Sequence, residues 1–150
     1  MSKRISRHRM FMEIAKVVAK RGTCDRAQVG AVLVNANNKV VSIGYNGSPH
    51  GEKHCDEVGH LLFNGHCIRT IHAEENCLEG LTLCGKYTMY VTHYPCPKCQ
   101  ITIYEKLHKD CATMLVIYDS MYGEPTAFEK LGDIYGVLRF SSLQSLEDMI

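Results

Sequence analysis

Two short stretches of this chain carry residue types that can hold a metal ion and move protons. His72-Ala73-Glu74 supplies an imidazole and, two residues on, a carboxylate; Pro95-Cys96-Pro97-Lys98-Cys99 supplies two thiols in a CxxC spacing. One nitrogen and two sulfur donors suit a catalytic Zn2+ whose fourth position is left to water. Water so placed gives up a proton near pH of about 7, and Glu74 stands where it can carry that proton. A CxxC alone is weak evidence; both stretches together, in this order, are far more specific. The competing reading is a closed structural site completed by another Cys or His, with Glu74 a surface acid.

These residues need elements to bring them together. Cys96 and Cys99, at i and i+3, share one face of a helix predicted from Cys96 to about Leu107. Pro95 restrains the approach and Pro97 fits the first turn. A second helix is predicted from His72 towards Gly80, so two helix N-termini, each partially positive, converge on one point. Upstream, a helix from His8 to Lys20 presents Met10, Ile14, Val17 and Val18 on its apolar face. Val29–Val34 and Lys39–Tyr45 read as strands of a hairpin joined by Asn35-Ala36-Asn37-Asn38. Gly44-Tyr45-Asn46-Gly47-Ser48-Pro49 follows, a turn suited to close backbone approach to a ligand. Residues 50–69 form a long aperiodic loop, which in a compact domain usually has a function or a staple. Further strands are expected at Tyr87–Thr92, Ala112–Tyr118 and Gly136–Phe140. Helices are expected at Glu124–Leu131 and after a cap at Ser141 or Ser142. The alternation predicts an α/β fold: one domain over residues 1–150, a three-layer α-β-α sandwich around a mixed five-stranded sheet.

Composition bounds the rest. The chain has 150 residues, a formal net charge of +1 and 22% charged residues, so no broad basic surface for nucleic acid or membrane is expected. No apolar run reaches membrane-spanning length and no export-type h-region opens the chain, which predicts a cytoplasmic protein. Eight Cys and eight His then read as metal ligands or core thiols rather than disulfides. Cys77, Cys84 and Cys111 fall in predicted elements and are expected to be buried. Cys24, His54, Cys55, His60, His66 and Cys67 cluster around the long loop. A second, structural Zn2+ held by Cys24, His54, His66 and Cys67 would anchor it, with Cys55 as substitute ligand.

Beyond the two metal stretches, Val29-Gly30-Ala31-Val32, Gly44 to Pro49, His66 to Glu74 and Tyr90-Val91-Thr92 complete a pattern covering most of the chain. On these motifs the chain resembles the cytidine and deoxycytidylate deaminase family. The resemblance implies hydrolytic deamination of deoxycytidine monophosphate (dCMP) to dUMP and ammonia. It implies that the Ala73 N–H contacts the pyrimidine 2-oxo group, that the Tyr94 carbonyl accepts from the departing amine, and that Asn46 contacts the deoxyribose. It also implies a homo-hexamer activated by dCTP and inhibited by dTTP with Mg2+, the effector bound by Gly44, Tyr45, Asn46 and Gly47. A structural zinc occurs in several such relatives. For a nucleotide substrate, Arg26 could neutralise the 5′-phosphate, and Tyr122 could cover the base; a solvated loop charge and simple packing are the alternatives. Two rivals remain open: a polynucleotide deaminase of the same fold, which needs a basic, aromatic-lined groove, and a catalytically silent zinc module, in which Glu74 is dispensable.

Overall fold

Side chains alternate across an extended strand, and here that alternation sorts the interior into two cores. In β1 (Gly30–Asn35), Ala31 and Leu33 enter one buried cluster while Val32 and Val34 enter the other. The division continues in β5 (Gly85–His93), with Met89 and Val91 against Tyr90. It continues again in β6 (Ala112–Ser120), with Met114 and Val116 against Ile117. The computed structural model describes residues 4–23, 28–47, 71–120, 134–141 and 143, and the backbone alone at 62–63, 66–67 and 130–131.

The first core is closed by α2 (Ala73–Leu78) and α3 (Pro97–Asp110), the second by α1 (Arg7–Ala19). Helices therefore cover both faces of the sheet, as expected of the α-β-α sandwich. Five strands form the expected mixed sheet: β2 (Val40–Tyr45), β1, β5, β6 and β8 (Tyr135–Arg139). A two-residue strand, β7 (Lys130–Leu131), extends its edge, and the order is β2-β1-β5-β6-β8-β7. The hairpin half is antiparallel, with Ala31 opposite Gly44 and Ala31 opposite Val91 on the other side. From β5 the chain returns through α3 to β6, and β5–β6 and β6–β8 are parallel. Within the long loop, β3 (Leu62–Phe63) and β4 (His66–Cys67) form a separate antiparallel pair.

Several expectations are corrected. The first helix exists, capped by Ser6, whose hydroxyl accepts from Arg9 N at 3.1 Å. Its buried face, however, is Phe11, Met12, Ala15, Val18 and Ala19, and Met10 and Val17 are exposed. Val18 is buried and Ile14 packs against the same core as expected, so periodicity misplaced only Met10 and Val17, at the edge of the apolar stripe. Lys130 and Leu131 are strand, paired with Gly136 and Tyr135, where a helix was expected; sheet pairing overrides local propensity. Residues 124–129 of that expected helix lie outside the described residues. Cys77 is buried, but Cys84 and Cys111 are exposed because they stand just before β5 and β6, beyond the helices' cover.

Two glycines set how closely the helices approach the sheet. A Cβ on Gly30 would strike the backbone of Ala15 and Ala19 in α1; one on Gly44 would strike Ala73 O and Cys77 N in α2. Neither obstacle is a flexible side chain, so relief requires a helix to move. Gly30→Ala and Gly44→Ala should each cost on the order of 2–3 kcal/mol, lowering Tm by about 5 °C or more in thermal denaturation. Gly136→Ala, whose new methyl would meet Leu115 Cδ1 at an ordinary 3.6 Å, should leave Tm nearly unchanged. Equal tolerance of all three would refute the close-approach account.

Candidate metal centre

His72 and Cys96 occupy the N-cap positions of α2 and α3, with extended backbones and no side-chain capping hydrogen bond. Their side chains instead turn towards each other. His72 Nδ1 lies 2.9 Å from Cys99 Sγ and 3.5 Å from Cys96 Sγ. The donor atoms of His72, Cys96 and Cys99 all lie within 4.8 Å of one another, and they are the one such group among the described residues. In a tetrahedral zinc site a nitrogen and a sulfur ligand sit about 3.5 Å apart. The His72–Cys96 separation already matches that, and the His72–Cys99 pair needs to open by about half an ångström. The donor set and its spacing fit a borderline-soft divalent cation.

The local chain explains why these side chains meet. Gly47 pairs with Ile71 through both backbone hydrogen bonds, at 3.1 and 2.8 Å, tying the end of β2 to the entry of α2. Asn76 Nδ2 donates to Tyr45 O at 2.8 Å and holds the helix from its other side. On the second approach, Tyr94 N donates to Ser120 O at 2.8 Å, and Ser120 Oγ donates to Thr92 O at 3.1 Å, so the end of β5 stays registered on β6. Pro97 at the start of α3 supplies a helical φ where its missing N–H costs nothing. α2 has six residues, shorter than expected, since the backbone turns extended at Glu79 and Gly80 has φ +75°. Positive helix-end field at this point therefore comes chiefly from the fourteen-residue α3.

The four ionisable groups are strongly coupled. The Cys96 thiol is held down at about 4, first by a hydrogen bond from Cys99 and further by His72, against the opposing effect of burial. Cys99 is pushed up by its bond to the Cys96 thiolate and by burial, so it keeps the shared proton. His72 is raised, chiefly through its hydrogen bond to Cys96. Glu74 is 4% exposed and its carboxyl is raised by burial, with His72 pulling the other way. A carboxyl so placed holds a proton more readily than a surface acid, which suits a group that must accept and release one.

The remaining anticipated residues divide by position. Ala73 is buried in the first turn of α2, where backbone N–H groups have no intrahelical acceptor. Tyr94 is buried and meets Tyr118 edge-on at 4.8 Å. Asn46 is buried; its Oδ1 accepts from Val29 N at 2.8 Å. Gly44 is used in packing against α2, and Tyr45 lies under the Arg21 guanidinium at 5.8 Å. Cys24, Arg26, His54 and Tyr122 lie outside the described residues, as do the side chains of His66 and Cys67 in β4. Sequence reasoning missed Gln100 and Tyr135. Gln100 Nε2 donates to Pro95 O at 3.0 Å, and Tyr135 OH donates to Gln100 Oε1 at 3.1 Å. The one signal was a Gln on the apolar face of α3, beside Cys99, Ile103 and Leu107.

A family model described as the cytidine and deoxycytidylate deaminase zinc-binding region matches residues 5–115. The chain is 43% identical over 100 residues to ComE operon protein 2 of Bacillus subtilis, covering 64% of this chain and 52% of that protein. It is 32% identical over 136 residues to the deoxycytidylate deaminase of Homo sapiens, covering 85% of this chain and 74% of that one. The chain thus spans about half the length of the first of these relatives. Among solved structures, the dCMP deaminase of cyanophage S-TIM5, in complex with dCMP and dUMP, superposes with a TM-score of 0.69. It shares 24% identity, and the match covers 88% of this chain and 95% of that one. That likeness supports the fold.

Burial of Glu74 has a consequence for stability. Its folded pKa is raised above the unfolded value of about 4.3, so the native state binds more protons than the unfolded state between the two values. The favourable contribution is complete below the unfolded pKa and is lost as pH rises through the folded one. In metal-free protein kept in chelator, Glu74→Gln should therefore raise Tm relative to wild type, with a gap that widens from pH 4 to pH 8. A constant gap, or one that narrows as pH rises, would contradict the burial account.

Proposed function

The chain belongs to the cytidine and deoxycytidylate deaminase family, and from that premise we propose that it is a zinc-dependent dCMP deaminase. The reaction is dCMP plus water to dUMP plus ammonia, supplying dUMP for thymidylate synthesis. The observation that carries the proposal is one piece of geometry: a His-Cys-Cys donor set within 4.8 Å, next in the chain to a buried Glu74 with a raised carboxyl. Bound by His72, Cys96 and Cys99, Zn2+ would supply a polarised water poised for attack. Glu74 takes one proton from the attacking water and delivers it to N3 of the pyrimidine; it then takes the second from the hydroxyl formed at C4 and passes it to the departing amine, so that ammonia leaves and the 4-oxo group of dUMP remains.

The other residues orient the nucleotide. The Ala73 N–H donates to the 2-oxo group and the Tyr94 carbonyl accepts from the leaving amine. Asn46 meets the deoxyribose, Arg26 the 5′-phosphate, and Tyr122 covers the base. The name of the human relative, a deoxycytidylate deaminase, supports the choice of a nucleotide substrate. A second zinc on Cys24, His54, His66 and Cys67 holds the long loop, and the short β3–β4 pairing is consistent with an anchored segment there. The regulatory reading is a cytoplasmic homo-hexamer activated by dCTP and inhibited by dTTP with Mg2+, through Gly44, Tyr45, Asn46 and Gly47. Its support is the attachment of this segment to α2 at Gly47–Ile71 and Tyr45–Asn76. No helix among the described residues is long and apolar enough to cross a membrane.

Zinc-loaded protein offered dCMP, dCTP, cytidine and a single-stranded oligonucleotide should release ammonia from dCMP. Glu74→Ala and Glu74→Gln should lower kcat by about 100-fold or more while retaining zinc. Turnover of the oligonucleotide but not dCMP would replace this reading with a polynucleotide deaminase, and full activity of both variants would remove Glu74 from the mechanism. Metal analysis should find two zinc ions per chain, falling to one in Cys24→Ala. Added dTTP with Mg2+ should suppress the activity and dCTP restore it; indifference to both would remove the effector assignment.

A further inference from the structure

The α3 N-terminus faces a structural difficulty that its sequence does not advertise. An N-cap residue normally uses a side-chain oxygen to bind an exposed N–H of the first turn. Cys96 stands at that position and makes no side-chain cap bond, because its sulfur is turned to His72 and Cys99. Something else must hold the Pro95–Cys96 turn in place.

Gln100 does so twice. Its backbone N donates to Cys96 O at 3.0 Å, and its side-chain Nε2 donates to Pro95 O at 3.0 Å, so two consecutive carbonyls of the turn are gripped by one residue. The orientation of the amide follows from chemistry, since a proline carbonyl can only accept. Oε1 therefore faces away from the turn, towards Tyr135, whose hydroxyl donates to it at 3.1 Å. Gln100 is wholly buried, Tyr135 is 2% exposed, and Pro95 is among the most deeply buried residues. Tyr135 opens β8, paired with Met114 of β6, and so the turn is referred to a strand two positions from β5 in the sheet. A buried network fully satisfied in this way has one geometry, and leaving a member unpaired is costly.

Taking the metal centre of the proposed function as given, we infer that Gln100 and Tyr135 are positioning residues for it: Tyr135 orients the Gln100 amide, and Gln100 sets the Pro95–Cys96 turn that aims the Cys96 sulfur and the Tyr94 carbonyl. Groups that orient metal ligands from behind commonly change metal affinity or activity by about 10–100-fold when removed. Gln100→Glu keeps the acceptor for Tyr135 and loses the donor to Pro95. Gln100→Met loses both at similar volume. Tyr135→Phe removes the anchor and leaves the Gln100 donor in place.

Full-length protein would be loaded with Zn2+ to measure loss of the ion to a competing chelator, and with Co2+ to record the visible ligand-field spectrum. Gln100→Glu and Gln100→Met should lose zinc about tenfold or more faster than wild type and shift the cobalt bands. Tyr135→Phe should produce a smaller change in the same direction, and adding it to Gln100→Met should produce no further loss. In dCMP turnover, kcat should fall more than KM rises. Val34→Ala, a cavity in the opposite core, serves as the control that lowers Tm without touching the turn; it should leave zinc retention and the cobalt spectrum unchanged. Zinc retention and cobalt spectra of the Gln100 and Tyr135 variants within twofold of wild type would overturn the inference, as would equal zinc loss from Val34→Ala. Wild-type protein that takes up neither metal would overturn the metal reading itself and this inference with it.

Discussion

Two helix starts have to give up their caps for this site to exist. His72 and Cys96 stand where Ser, Thr, Asp or Asn would stabilise a helix by about 1 kcal/mol each, and both point their donor atoms at one another instead. Each start is therefore held by other means: α2 by the Gly47–Ile71 bridge and the Asn76–Tyr45 bond, α3 by its own Pro97 and Gln100, the latter anchored on Tyr135, and by the Tyr94–Ser120 bond. Most of the polar contacts around the site answer to this single requirement.

The mixed sheet is what makes such external support available. A parallel β5–β6 pair sends the chain out of β5, through a turn, and directly into α3, so Cys96 and Cys99 arrive at the carboxyl end of a central strand. The antiparallel hairpin serves a different purpose. Its outer strand lies under α2, and Gly44 lets the helix backbone rest on the strand backbone. Gly30 does the same for α1 on the opposite face. Helix positions are thereby set by main-chain contact, which varies less than contact through long side chains. That precision matters because two of the three donors come from a different helix than the third.

The donor motif, the strands and the helices were legible because each depends on local chemistry: ligand type and spacing, alternation, turn residues, prolines at a helix start. What was not legible depended on distant neighbours. The face of α1 was misread at Met10 and Val17 because the sheet, and not the helix, decides which apolar stripe is buried. Cys84 and Cys111 read as core thiols by residue type, but each stands just before its strand, β5 or β6, and is exposed there. Lys130–Leu131 pairs with β8 and takes its structure from that partner. Gln100 offered only a polar residue on the apolar face of α3 and Tyr135 no pattern, since their bond joins residues thirty-five apart that meet through the β6–β8 pairing.

Electrostatics give the arrangement its direction. Cys96, Cys99 and Glu74 are three potential anions around one imidazole, two of them deeply buried. With protons alone the group settles on one thiolate: Cys96 is ionised, Cys99 keeps the shared proton, and Glu74 is disfavoured as an anion. A fold selected for stability alone would place apolar residues here, because buried charge is expensive unless paired. A divalent cation changes the balance, since it can replace the shared proton and compensate two thiolates at once. The same burial that makes Glu74 costly as an anion also raises its carboxyl above the ordinary range, so it holds a proton more readily than a surface acid does. Cost and use therefore have one origin: enclosing these groups in the core formed by α2, α3 and the sheet destabilises their charged forms, and that destabilisation is what readies them for a metal and a travelling proton.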